Sequence, residues 1–272
     1  MNEDKITINV NSIKSIYLEV CFDNQNLATA TGFLVKNNND IYLITNRHVV
    51  TGRNNETNEC LDKKYSAIPN KLNIWFPYLE NNYYVWKNIS WDLYDKEENP
   101  IWLEHPLYKE NVDVVAINLG EFDKLTFFHS LNSEYKPIVT ENVYIIGYPY
   151  GFNVNPENGK YAIWSSASIA SDPDLDLNIN GKQLPAFLVD AKTRHGQSGS
   201  PVIYYSLTGF DRQSNGFAIY DGPITHEIGI YSGRINKDSD LGYVWKWSLI
   251  KDIINQEYKN WRVFLPISYP SN

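Results

Sequence analysis

The sequence predicts an all-β protein, and three observations support this fold class. Short apolar runs with alternating polar residues recur along the chain, among them "SIYLEVCF", "IYLITNRHVV", "VDVVAINL", "ENVYIIGYP" and "IGIYSGRI". Turn-rich pieces such as "KNNND", "NPENG" and "NINGK" lie between these runs. Aromatic residues, which favour strands, make up 14% of the chain. This pattern is typical of a β-sandwich or of β-barrels.

Helical periodicity is convincing only near the C-terminal end. Apolar residues recur there at i, i+3 and i+4 spacings after a candidate N-cap, Ser248: Leu249, Ile250, Ile253, Ile254 and Tyr258. We therefore expect one closing helix near residues 248–258. The polar segment at residues 121–140 separates two groups of strands of similar size. It predicts an N-terminal β domain over residues 1–127 and a C-terminal β domain over residues 128–272.

Composition excludes several classes of protein. With 272 residues, 43% of them hydrophobic and 21% charged, the chain resembles an ordinary globular protein. A net charge of -8 without a dense basic run argues against a nucleic-acid partner. The opening "MNEDKITINV" has no apolar core segment, and no run approaches the roughly 18 apolar residues of a membrane span. We expect a soluble, cytoplasmic protein with no membrane partner.

The chain has only two cysteines, Cys21 and Cys60. Two cysteines are too few for a disulfide scaffold, and their spacing is not that of metal ligands. The sequence leaves open whether the two form a single disulfide bond. The sequence predicts no metal and no cofactor.

The stretch "TRHGQSGSPV", residues 193–202, places Ser198 between two nearby glycines, Gly196 and Gly199. Glycines reduce crowding beside the serine and let backbone amides turn toward its hydroxyl. This arrangement would present Ser198 as a nucleophile. The alternative is a plain turn, since Gly, Ser and Pro are common in loops.

A serine nucleophile needs a base, and the chain offers five histidines. His48 ends the apolar run "IYLITNRHVV", where a rigid strand would support it at a cleft. The alternative is a histidine satisfied within the core. His195, beside the serine loop, is its main rival as base. The others are expected on the surface or in packing: His105, His129 and His226.

The base needs a carboxylate to orient it, and Asp113 interrupts the apolar run "NVDVVAINLG". A buried carboxylate costs several kcal/mol unless it is paired, so this residue calls for a partner. The alternatives are an Asp that caps a local turn and a second candidate, Asp190. The chain order His48, Asp113, Ser198 is that of a catalytic constellation known on paired β-barrels.

On these residues the sequence resembles the chymotrypsin-like (trypsin-like) serine peptidases, in the style of bacterial HtrA-type and glutamyl-endopeptidase-type domains. The resemblance extends over about residues 20–255. "ATGFLVKNNNDIYLITNRHVV" resembles the segment that leads into the catalytic histidine, His48, and "NVDVVAINL" the strand of the catalytic aspartate, Asp113. "LVDAKTRHGQSGSPV" resembles the nucleophile loop, with Ser198 as nucleophile. The resemblance implies two packed six-stranded antiparallel β-barrels and a C-terminal helix.

The resemblance also implies further roles. The backbone amides of Gly196 and Ser198 would form an oxyanion hole. Lys192 would lie at the floor of the pocket for the side chain that precedes the cut, and its charge would favour an acidic substrate residue. "EIGIYSGRI" resembles the strand that pairs with bound substrate. Tyr231 and Gly233 in that strand would form the pocket wall.

Two residues depart from the family pattern: Ser200 replaces a glycine of the HtrA type, and His195 replaces the usual proline or glycine. Neither belongs to the triad, so a serine endopeptidase acting on protein or peptide substrates is expected. The sequence is compatible with activation by a protein partner. Two alternatives are a catalytically silent peptide-binding module of the same fold and an α/β-hydrolase esterase. The esterase would need a glycine at position 200 and alternating helices and strands.

Overall fold

The computed structural model describes residues 8–80, 83–122, 125–154, 159–213, 216–236 and 238–256. The fold is all-β, as predicted, and consists of a seven-stranded antiparallel sheet followed by a closed six-stranded antiparallel barrel.

The first unit is built from the strands β1 (Ser15–Phe22), β2 (Gln25–Asn37), β3 (Asp40–Thr45), β4 (Lys71–Glu80), β5 (Tyr83–Asp92), β6 (Trp102–Leu103) and β7 (Val115–Gly120). Their order in the sheet is β5-β4-β1-β2-β3-β7-β6. Within the described residues β5 and β6 remain edge strands, so this unit differs from the closed six-stranded barrel that the resemblance implies. Since β6 has only two residues, it offers little backbone for closure.

The second unit follows, with the strands β8 (Asn142–Gly147), β9 (Ile163–Ile169), β10 (Leu177–Ile179), β11 (Lys182–Leu184), β12 (Ala186–Asp190), β13 (Pro201–Ser206), β14 (Phe210–Gln213), β15 (Gly216–Ile219), β16 (Ile224–Arg234) and β17 (Leu241–Lys246). Six of them close the barrel in the order β12-β17-β16-β13-β8-β9. The pairs β10-β11 and β14-β15 form separate hairpins.

The closing helix is present as α3 (Leu249–Asn255), after two short helices, α1 (Asn11–Lys14) and α2 (Arg47–Thr51). Its predicted apolar face is buried: Leu249, Ile250, Ile253 and Ile254. Ser248 precedes α3 but makes no side-chain capping bond, and Tyr258 lies outside the described residues. The sequence missed α1 and α2 because four or five residues are too few to show a helical period.

A shared apolar core joins the two units. Phe33, Ile44 and Val114 of the first unit pack with Ile230 and Trp245 of the barrel, and the buried face of α3 belongs to the same cluster. Fully burying one such side chain contributes about 1.5–3 kcal/mol. This shared core fixes how the two units face each other, and thereby how their loops meet.

Both cysteines are free thiols, so Cys21 and Cys60 form no bridge with each other. In the part of the chain that the structure describes, no helix is long and apolar enough to cross a membrane.

Candidate active site

The chain places His48 and Asp113 side by side at one end of two paired strands. β3 and β7 are antiparallel, and Thr45 at the end of β3 pairs with Val115 at the start of β7. His48 lies just beyond this end in α2, and Asp113 just before it. The sequence placed His48 at the strand end and Asp113 inside its strand. Both instead lie just outside, because a helical turn and a loop begin where the pairing stops.

Asp113 has the partners that its burial requires. Its side chain is 3% exposed. His48 Nδ1–H donates to Asp113 Oδ2 at 2.6 Å, and the His48 backbone N–H donates to Oδ1 at 2.8 Å. Ser232 Oγ also donates to Oδ2, at 2.5 Å. Three donors therefore stabilise the buried carboxylate, and no group in the described part of the chain bonds to His48 Nε2.

The pKa of His48 determines where such a base would work. Burial lowers this pKa, but the charge of Asp113 and its hydrogen bond together raise it above the ordinary 6.5. A base must be neutral, so activity should be absent at acidic pH and appear as pH rises through the raised pKa. We expect the acidic limb of kcat/KM against pH to lie above 6.5. A limb well below pH 6 would contradict this assignment of the base.

Ser198 lies in the loop between β12 and β13 and lines the same cleft as His48. Its hydroxyl donates to the Ser232 carbonyl oxygen at 3.0 Å. Among the described residues, no hydrogen bond joins Ser198 to His48. The structure thus brings the predicted nucleophile and base to one cleft, with the hydroxyl directed at β16.

The predicted oxyanion hole consists of backbone amides of the serine loop, and their hydrogen bonds differ. Gln197 N–H donates to the Arg194 carbonyl at 3.3 Å. The amides of Gly196 and Ser198 donate to no acceptor in the described part of the chain, which leaves both available to a substrate oxygen. Gly196 has a φ of +91°, and a Cβ there would lie 2.3 Å from the Tyr148 carbonyl oxygen. Only glycine fits this position.

Thr31 of β2 holds the serine loop against the first sheet, and the sequence analysis missed it. Its backbone N–H donates to the Ser198 carbonyl at 2.9 Å, and its hydroxyl donates to the Gly196 carbonyl at 2.8 Å. Thr45 Oγ1 donates to the Thr31 carbonyl at 2.8 Å. A threonine within the apolar run "ATGFLV" could have signalled this role, because a buried hydroxyl needs a partner.

Gln197 holds the loop from the barrel side. This side chain is 1% exposed. Its Oε1 accepts the Arg194 N–H at 2.8 Å, and its Nε2 donates to Ser165 Oγ of β9 at 2.9 Å. Both units therefore order the loop through contacts within this chain.

The predicted specificity residues lie in different surroundings. The Lys192 side chain is exposed. Tyr231 is 2% exposed in the barrel core, with its hydroxyl bonded to Thr193 Oγ1. Gly233 has open space beside it, since no atom lies within 4 Å of the position of a Cβ. These three assignments stay predictions.

The remaining histidines are separate from the pair at Asp113. His195 is exposed at the same cleft, and its carbonyl accepts the Tyr150 N–H at 2.6 Å. His105 and His129 are fully buried, and burial lowers the pKa of His105 to about 4. His226 Nε2 lies 3.0 Å from Oδ1 of the buried Asp211, on β14 of the separate β14-β15 hairpin.

A closed antiparallel barrel beside a second antiparallel unit, with serine, histidine and aspartate at their contact, is the architecture of the chymotrypsin-like fold. The chain belongs to the trypsin-like peptidase domain family, whose model matches residues 30–206.

One of two similar solved structures supports the fold. This structure is the inactive form of a serine-to-alanine mutant of Rv3671c from M. tuberculosis H37Rv. It is 14% identical to this chain, with a TM-score of 0.50. The match covers 90% of this chain and 87% of that one. Deg5 is 15% identical at a TM-score of 0.49, with the same coverage of both chains. At 14% identity, the likeness to Rv3671c shows the fold alone. No curated protein matches the chain significantly.

Proposed function

We propose that the protein is a serine endopeptidase that cleaves peptide bonds through an acyl-enzyme, with Ser198, His48 and Asp113 as its triad. The observation that carries this proposal is the pair formed by the half-buried His48 and the buried Asp113, beside the cleft that Ser198 lines. A carboxylate 2.6 Å from Nδ1 holds the proton on that nitrogen, which leaves Nε2 as the acceptor for a serine proton.

In the proposed reaction Ser198 Oγ attacks the substrate carbonyl carbon while His48 Nε2 takes the hydroxyl proton. The Gly196 and Ser198 amides hold the oxyanion. His48 then gives its proton to the leaving amine, and the C–N bond breaks. A water molecule, deprotonated by His48, hydrolyses the acyl-enzyme and releases the acid. Asp113 keeps its charge throughout and stabilises the imidazolium.

In this reaction the Ser198 hydroxyl must stop donating its hydrogen bond to the Ser232 carbonyl and donate to His48 Nε2 instead. A neutral hydrogen bond contributes only about 0.5–1.5 kcal/mol net, which corresponds to a roughly 2- to 13-fold change in population. Substrate binding alone can supply this. A protein partner that favours the exchange would therefore raise activity by about tenfold at most through this bond.

Covalent labelling with a fluorophosphonate probe tests the proposal directly. Wild type should be labelled, and Ser198→Ala and His48→Ala should lose labelling while circular dichroism shows an intact fold. His195→Ala is the matched control, since this histidine lines the same cleft and should remain labelled. If His195→Ala lost labelling while His48→Ala kept it, His195 and not His48 would be the base. A folded wild type that binds peptides without being labelled would support the silent peptide-binding module.

We further propose that Lys192 favours an acidic residue before the cut. Its exposed side chain has no ion-pair partner among the described residues, so its charge is available to a substrate. A peptide-library profile should show an acidic preference that Lys192→Ala removes. A profile without that preference, unchanged by the substitution, would exclude this role.

A further inference from the structure

A wide cleft of about 460 Å³ opens beside the candidate triad. His48, Gly196 and Ser198 line one side of it. Most of the other lining residues are apolar, among them Val20, Leu27, Ala30, Val49, Leu61 and Pro69. The volume lies within the roughly 300–1,000 Å³ of typical ligand sites. An open apolar surface of this size is suited to an apolar ligand group.

The position of this cleft indicates which part of a substrate it serves. Its walls come from β1, β2 and the segment after α2, together with Tyr150 and His195. The residues predicted to contact the side chain before the cut, Lys192, Tyr231 and Gly233, are not among them. Ser232 of β16 lines a separate cavity of about 190 Å³. On those predicted assignments, the large cleft lies on the other side of Ser198, where the leaving group departs.

The one carboxylate in the cleft is already occupied by its own loop. Asp62 accepts backbone N–H bonds from Lys64 at 3.0 Å, Tyr65 at 3.3 Å and Ala67 at 3.1 Å. The bonds from Ala67 and Lys64 lower the pKa of Asp62, so this group stays an anion held by the loop. Its acceptors are used within the loop, and the neighbouring Leu61 side chain is 46% exposed at the cleft.

An aromatic residue stands at the rim in an unusual conformation. Tyr150 is 59% exposed and has a φ of +53°, in the left-handed region that non-glycine residues seldom adopt. Its N–H is held by the His195 carbonyl at 2.6 Å. Such conformations persist where the surrounding structure holds them, and they cluster at functional sites. Tyr150 is among the residues that line the cleft.

We propose that this cleft is a leaving-group pocket that binds a large apolar side chain from one of the first two residues after the cut. The inference deepens the proposed peptidase function and rests on it. Burying a leucine or phenylalanine side chain should raise kcat/KM by about 10- to 100-fold over glycine.

Quenched-fluorescence peptides that are identical before the cut and carry Leu, Phe, Gly, Asp or Lys in the first two positions after it test this pocket. Wild type should prefer Leu and Phe at one of these positions by at least tenfold. Leu61→Asp should remove most of that preference. Leu79→Asp is the matched control, because Leu79 is also 46% exposed but lies on β4 away from the cleft. A flat profile in an enzyme that fluorophosphonate labels would overturn the pocket while the peptidase function stands.

A binding measurement separates the two proposals if labelling fails. Fluorescence anisotropy with the same peptides on Ser198→Ala reports binding without chemistry. Peptides with Leu or Phe after the intended cut should bind at least tenfold more tightly than those with Asp, and adding Leu61→Asp should reduce this ratio. Equal affinities for all peptides would overturn the pocket whatever the labelling result.

Discussion

Replacing Asp113 with asparagine is expected to lower kcat/KM by about 10⁴-fold with the fold intact, since the same change lowers kcat by about that factor in the chymotrypsin-like triad. The amide oxygen can still accept the His48 backbone N–H in place of Oδ1. The amide nitrogen would then face His48 Nδ1, and a donor there forces the ring proton onto Nε2. His48 could no longer accept the Ser198 proton.

Asp211→Asn is the matched control for this change. Asp211 is also a buried aspartate, 5% exposed, and its Oδ1 lies 3.0 Å from His226 Nε2. Both variants alter an aspartate–histidine pair, but only the first borders the cleft. Steady-state kinetics should show near-normal kcat/KM for Asp211→Asn. A similar loss in both variants, or a loss below tenfold in Asp113→Asn, would contradict the assigned role.

Gly199→Ala is expected to destabilise the protein by roughly 2–5 kcal/mol and to abolish fluorophosphonate labelling. Gly199 has a φ of +83°, and its Cβ would lie 2.1 Å from the Thr31 carbonyl oxygen and 2.5 Å from Thr45 Oγ1. The left-handed conformation costs a side chain about 1–2 kcal/mol, and overpacking adds about 1–3 kcal/mol. Because the nearest atom belongs to the backbone of β2, the serine loop itself must move.

Gly181→Ala separates the two causes of this effect. Gly181 has a nearly equal φ of +80°, but no atom lies within 4 Å of its Cβ position. Its substitution should cost only about 1–2 kcal/mol for the conformation, with labelling retained. Urea unfolding followed by circular dichroism measures both free energies of unfolding. Equal losses in the two variants would show that close packing of the serine loop is unimportant.

The fold class followed from the sequence because its signals are local. Alternation of apolar and polar residues has the period of a strand wherever it occurs, and turn residues mark its ends. The apolar spacing at i, i+3 and i+4 predicted α3 for the same reason. The helical turn that carries His48 was not, since α2 is too short for a period to appear. Closure of a sheet depends on pairing between distant strands, and there the first unit departed from the expected barrel.

The candidate site also has features that the sequence predicted and features that only the structure shows. The sequence by itself determined the all-β class, the closing helix and three residues whose types and order suit a serine peptidase. Only the tertiary structure decided that Thr31 bonds to the serine loop, 165 residues away in the chain. It also decided that the Ser198 hydroxyl donates to the Ser232 carbonyl and that a largely apolar cleft opens beside Ser198. Residue type and spacing carry local preference, whereas hydrogen-bond partners and cavities arise where distant segments pack together.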